Sequence, residues 1–180
     1  MPSLGHVAVG LAAGRLHAGA AGPRLAATVL FTALATFPDA DVLARPLGAT
    51  TGSAWLHRGA LHSFALAAAA AALALLLAGG LGRSRLRLLA TAFLVAASHG
   101  LLDALTTGGA GVMFLWPAGL ERFLAPWSLV PAAPMGLRLV SSRGAEVLLR
   151  ELILSAPLLL YALWPRRARP CAGPEPLRSA

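Results

Sequence analysis

The residues in this chain that could do chemistry stand in a few short groups. In 98-SHGLLDALTTGG-109, His99 and Asp103 are four apart and share one face of a helix. In 36-TFPDAD-41, Pro38 breaks a helix and Asp39 and Asp41 follow; extended, their side chains face opposite ways, whereas in a turn both reach one ion. In 57-HRGALHS-63, His57 and His62 are five residues apart, about 140° around a helix. They converge only if His57 lies in the loop before a helix and His62 in its first turn. His6, in 5-GHVAVG-10, and Glu146 complete the set. Imidazole with carboxylate is the ligand set of zinc, manganese and non-haem iron. Each group also has a structural alternative. His99 and Asp103 could form a helix-surface hydrogen bond, and the aspartates an Asx-type turn or a cap. His6 could be an interfacial polar residue, and Glu146 a favourable charge at a helix N-terminus. Arg58, between the two histidines, is a phosphate ligand or an interfacial arginine that snorkels to headgroups.

Five apolar segments must position these residues. Residues 63–81 carry no charge over 19 positions, and about 20 apolar residues cross roughly 30 Å of hydrocarbon. Residues 86–106 form a second clear span. Residues 147–164 form another, whose first turn is interfacial or packed on protein because it holds Arg150 and Glu151. Residues 24–37 are short but apolar, and 4–20 carry a small-residue face at Gly10 and Gly14 suited to close helix packing. Glycines 79–80 and 108–109 and Pro131 and Pro134 mark turns. The loop 108–145, with Trp116 and Trp127, reads as an interfacial segment. Laying five spans alternately through a bilayer brings His6, Asp39, Asp41, His57, His62, His99, Asp103 and Glu146 to one end. His17 falls at the other. Ionisable groups near a bilayer are disfavoured by roughly 2.5–3.5 kcal/mol each at a helix centre, and gathered carboxylates repel without a cation among them. A divalent metal resolves both penalties.

Composition agrees with this architecture. The chain has 180 residues, 57% of them hydrophobic and 12% charged, with mean hydropathy +0.72. Soluble domains carry about 25% charged residues, so an ordinary soluble globule or a disordered chain does not fit. All 15 basic residues are arginine and the net charge is +8. They sit between apolar runs as orienting charges, so no nucleic-acid partner is expected. Arg15, Arg24, Arg83, Arg85, Arg87 and the tail arginines fall on one side and outnumber those on the other. The positive-inside rule places that side in the cytoplasm and the His/Asp end outside it. The lone Cys171 precludes an internal disulfide and a cysteine zinc site. The expected fold is all-α and polytopic: one membrane-embedded domain over 1–165, about five transmembrane helices with a long loop before the last, and a polar tail over 166–180.

The ordered series GHVAVG, FPDAD, HRGALHS, SHGLLDALTTGG and LWP resembles the YdjM-like membrane-bound metal-dependent hydrolases of bacteria. The likeness runs over about residues 5–165, and 141-SSRGAE-146 resembles that family's Gly-rich turn and glutamate. It departs mildly at Phe37, where leucine is common, and in a Gly/Ala-rich first span. The resemblance implies metal binding at His6, Asp39, Asp41, His57, His62, His99, Asp103 and Glu146, and residence in the bacterial inner membrane. The function expected is hydrolysis of a phosphoester, a lipid headgroup being one candidate, by a metal-activated water. Two or more divalent ions, zinc or manganese, are expected. Arg58 would pair with a phosphate oxygen, and Glu146 or Asp41 would serve as general base. The alternatives are a divalent-metal transporter, a non-catalytic metal-binding membrane protein, and a structural protein whose polar residues are caps and anchors.

Overall fold

A computed structural model of the protein describes residues 4–18, 24–78, 84–107, 109–131 and 140–165. The tail and the turns at 79–80, 108 and Pro134 lie outside the described residues. Five α-helices follow in order: α1 Leu4–Ala18, α2 Arg24–Thr36, α3 Phe64–Leu77, α4 Arg85–Ala104 and α5 Ser142–Leu163. Short 3-10 helices at Phe37–Leu43 and Ala60–His62 follow α2 and precede α3. Among the described residues there is no strand, only isolated bridges such as Val112 with Phe123.

The local chemistry explains the helix ends. Pro38 sits in the first turn of the 3-10 segment that succeeds α2, where a missing N–H costs nothing. Ser63, Ser84 and Ser141 cap α3, α4 and α5 by accepting from the N–H of Leu66, Arg87 and Gly144.

The first helix packs on both α2 and α5, and α3 packs on α4. The expected small-residue face of α1 is the seam with α2. A Cβ at Gly10 would overlap the backbone of Thr32, and one at Gly14 the backbone of Thr28. At α4, a Cβ on Gly100 would stand 2.8 Å from the His62 carbonyl oxygen, so glycine lets α4 lie flush against the His62 loop.

The distribution of side chains is inverted relative to a water-soluble protein. The interior is largely alanine, with buried His6, Asp41, Arg58, His62, His99, Asp103 and Glu151. The exterior carries Leu25, Leu76, Leu94, Ile153 and Leu163, all exposed. Helix α5 buries only Gly144, Val147, Glu151 and Ser155 and turns its leucines outward. Such a pattern is stable where the solvent is hydrocarbon.

Two segments, Leu25–Leu43 and Arg85–Ala104, are long and apolar enough to cross a membrane, fewer than the about five expected. The reason is length and charge. Helix α3, at 14 residues, rises about 21 Å at 1.5 Å per residue, less than a full hydrocarbon core. Helix α1 has 15 residues. Helix α5 has 22 residues, but Arg143, Glu146, Arg150 and Glu151 occupy its first half.

Candidate metal centre

Each expected ligand arrives from a helix end. His6 lies in the first turn of α1; Asp39 and Asp41 lie in the 3-10 segment after α2. His57 lies in the loop before α3, and His62 closes the Ala60–His62 turn just ahead of it, which is nearly the arrangement that convergence requires. His99 and Asp103 occupy the last turns of α4.

These side chains form two groups whose potential ligand atoms lie within 4.8 Å of one another. Asp39, His62, His99 and Asp103 make an inner group; Asp41, His57 and His62 make an outer one. His62 belongs to both. Its Nδ1 stands 3.1 Å from Asp41 Oδ2 and its Nε2 stands 3.4 Å from Asp103 Oδ2. The two aspartates of FPDAD therefore serve different groups rather than one ion, because the 3-10 turn separates their directions. His6 stacks on His99 with ring centroids 3.7 Å apart, and its Nε2 is 3.6 Å from Asp103 Oδ1. His17 packs on Phe31 at the opposite end, as the alternation argument requires.

Hydrogen bonds fix which ring nitrogens are free. His99 Nδ1 donates to the Ala35 carbonyl at 2.7 Å. A carbonyl only accepts, so Nδ1 carries the proton and a neutral ring presents the Nε2 lone pair. That lone pair faces Asp39 Oδ1 at 3.4 Å with no hydrogen bond. In the neutral ring that nitrogen is an acceptor facing the carboxylate of partly exposed Asp39. Similarly, His57 Nδ1 donates to Asp41 Oδ1 at 2.7 Å, an orientation typical of metal-ligating histidine. Buried His62 Nε2 likewise has no hydrogen-bond partner among the described residues and stands 3.4 Å from Asp103 Oδ2. A tetrahedral ion with bonds near 2.0–2.1 Å sets its ligand atoms about 3.3 Å apart. The residues present thus fit a divalent metal in spacing, donor type and unsatisfied atoms.

Arg58 turns inward. Its Nε lies 3.3 Å from Asp103 Oδ2, and its Nη2 donates to Thr106 Oγ1 at 2.6 Å. Its backbone N–H donates to Asp41 Oδ2 at 3.0 Å, and it holds a left-handed φ of 65°. A non-glycine residue persists there only when its surroundings over-determine it. Glu146 is not brought to the centre. It pairs with Arg150 Nη2 at 2.9 Å on the outer face of α5, one helical turn along, so the ion pair takes the carboxylate expected as ligand or base.

Two residues escaped the sequence argument. Glu151 is fully buried where α5 meets α1, and among the described residues neither carboxylate oxygen has a hydrogen-bond partner that meets standard geometry. The signal was available: Glu151 and Ser155 are one turn apart in a leucine-rich helix, and polar residues on such a helix face inward. Arg122 braces the site loop, its Nη1 donating to the carbonyls of His57, Arg58 and Gly111 at 3.5, 3.3 and 3.2 Å. No spacing in the sequence links it to residues sixty positions earlier.

Fold and site together define a helical membrane protein with a buried histidine–aspartate centre able to hold metal. The profile of the YdjM inner membrane protein family matches residues 1–168, and the chain belongs to that family. Inner membrane protein YbcI of Escherichia coli (strain K12) is 39% identical over 145 residues, 74% of this chain and 80% of that protein. No solved structure matches the chain.

Proposed function

We propose that this protein is a metal-dependent hydrolase of phosphoesters working at the surface of the bacterial inner membrane. The observation that carries the metal reading is the His99–Asp39 pair. His99 Nε2 and Asp39 Oδ1 stand 3.4 Å apart with no hydrogen bond at Nε2, a spacing that a divalent cation between a neutral ring and the carboxylate fills. The hydrolase reading is supported by position. The candidate ligands lie at helix ends and in loops, whereas transporters generally hold ions near the midplane on broken helices.

When bound, a divalent ion would supply Lewis acidity, lowering the pKa of water toward about 7. The chain's own residues supply the rest. Asp41 orients His57 through the 2.7 Å hydrogen bond. Of the two acids expected as base, Asp41 borders the centre and Glu146 does not. Arg58 offsets the charge of Asp103. His57, 37% exposed at its side chain, gives the outer group an open edge where substrate enters. All five helices lie in the membrane in alternation, the short ones dipping into it, with the centre on the extracytoplasmic side. Phosphoester-bearing lipid headgroups lie at the depth of that centre.

Elemental analysis of detergent-purified protein tests the reading. Wild type should carry at least one equivalent of zinc or manganese, His62→Ala should lose most of it, and His17→Ala should keep it. Turnover of a chromogenic phosphodiester by wild type, abolished in His62→Ala, then separates a hydrolase from a carrier. Absence of metal from wild type refutes the proposal.

A further inference from the structure

The cation expected to meet a phosphate is engaged elsewhere. Arg58 is 5% exposed, with its guanidinium on Asp103 and Thr106. It acts as an internal counter-charge. Arg122 is placed differently. It is partly buried and is fastened by a single nitrogen, Nη1, to the carbonyls of His57, Arg58 and Gly111. Arginine carries five N–H donors in a fixed fork. Among the described residues, the hydrogen bonds of Arg122 all leave from Nη1, so the Nε/Nη2 edge of the fork takes no part in holding the loop. The neighbouring Glu121 does not neutralise it, since its carboxylate folds back over Gly119.

Position gives that edge a meaning. Arg122 touches the backbone of His57, and His57 is the half-exposed member of the outer group. Arg122 is thus anchored beside the residue that opens the outer group. A planar fork anchored through one nitrogen is suited to bidentate binding of an oxyanion along its other edge. We infer that Arg122, not Arg58, receives the phosphate group at the open edge of the centre. This rests on the hydrolase reading above and names the residue that selects its substrate.

The test is calorimetric titration of inorganic phosphate into the zinc-loaded, detergent-purified full chain. Hydrogen bonds to charged groups contribute about 1.5–3 kcal/mol, so Arg122→Gln should weaken phosphate binding about 10- to 100-fold with zinc content unchanged. Arg122→Lys keeps the charge and one donor to the carbonyls but loses the fork, and should fall between Arg122→Gln and wild type. Wild-type phosphate affinity in both variants overturns the inference. So does loss of zinc in both, which would make Arg122 only a brace for the loop. If wild type holds no zinc, the hydrolase reading fails separately, and the same titration on metal-free protein still decides Arg122 by whether phosphate binding depends on it. A second titration with short-chain phosphatidic acid in micelles identifies the source. An Arg122-dependent gain over inorganic phosphate assigns the site to a lipid headgroup; an Arg122-dependent affinity equal to that for inorganic phosphate assigns it to a soluble phosphate.

Discussion

His62 is the hinge of the centre, since one ring reaches both carboxylates that define the two groups. Burial by itself lowers its pKa, but Asp103 and Asp41 outweigh burial and raise it above the ordinary 6.5. A raised folded-state pKa stabilises the metal-free protein fully below the ordinary value, and that contribution disappears as pH rises through the raised one. Metal needs the neutral ring, so proton and ion compete for it. Metal-free protein should therefore lose thermal stability as pH climbs through this window, while the rise in Tm on adding zinc grows. Melting curves from pH 5.5 to 8.5 with and without zinc check this; a zinc increment independent of pH would contradict it. The ligand types were legible in the sequence because imidazoles and acids are so few. What each contacts was not. Arg58 reads as a phosphate ligand from its place between two histidines, yet its left-handed backbone and the reach of Asp103 turn it inward.

At the scale of elements, the α1–α2 seam is the most exacting contact. Gly14 lies where any Cβ would overlap the Thr28 backbone. Overpacking a tight contact costs typically 1–3 kcal/mol, so Gly14→Val should destabilise the protein by about 2 kcal/mol or more in detergent unfolding. Leu25→Ala, at a residue 79% exposed, should stay within about 0.5 kcal/mol. Equal effects would mean that the helices do not meet at this seam. The presence and order of the five helices and the Gly10/Gly14 face were readable because apolar runs and small-residue spacing are local features. Membrane length was less readable, since hydropathy alone does not show that α3 stops at Leu77. Nor does spacing reveal that α5 turns Glu151 toward α1, because facing depends on which neighbour a helix meets.

For the whole molecule, alternation of helices is the property from which the site followed. It places every helix end that carries a candidate ligand on one face, and only Glu146 departs from the centre once there. In the orientation proposed above, the α1–α2 and α3–α4 turns and the tail, where positive residues concentrate, lie in the cytoplasm by the positive-inside rule. Alkaline phosphatase fused after residue 165 should therefore be inactive in a bacterial host. Activity there would invert the protein without disturbing the shared end of its ligands.

The first helix packs against the last, and this has a consequence for biosynthesis. Every residue of both candidate metal groups lies at or before Asp103, so a growing chain possesses the complete donor set some forty residues before α5 begins at Ser142. The flank beside His6 stays open until Glu151 and its neighbours dock against α1. Translation order thus leaves the His6 flank of the donor set uncovered until α5 has been made and packed on α1.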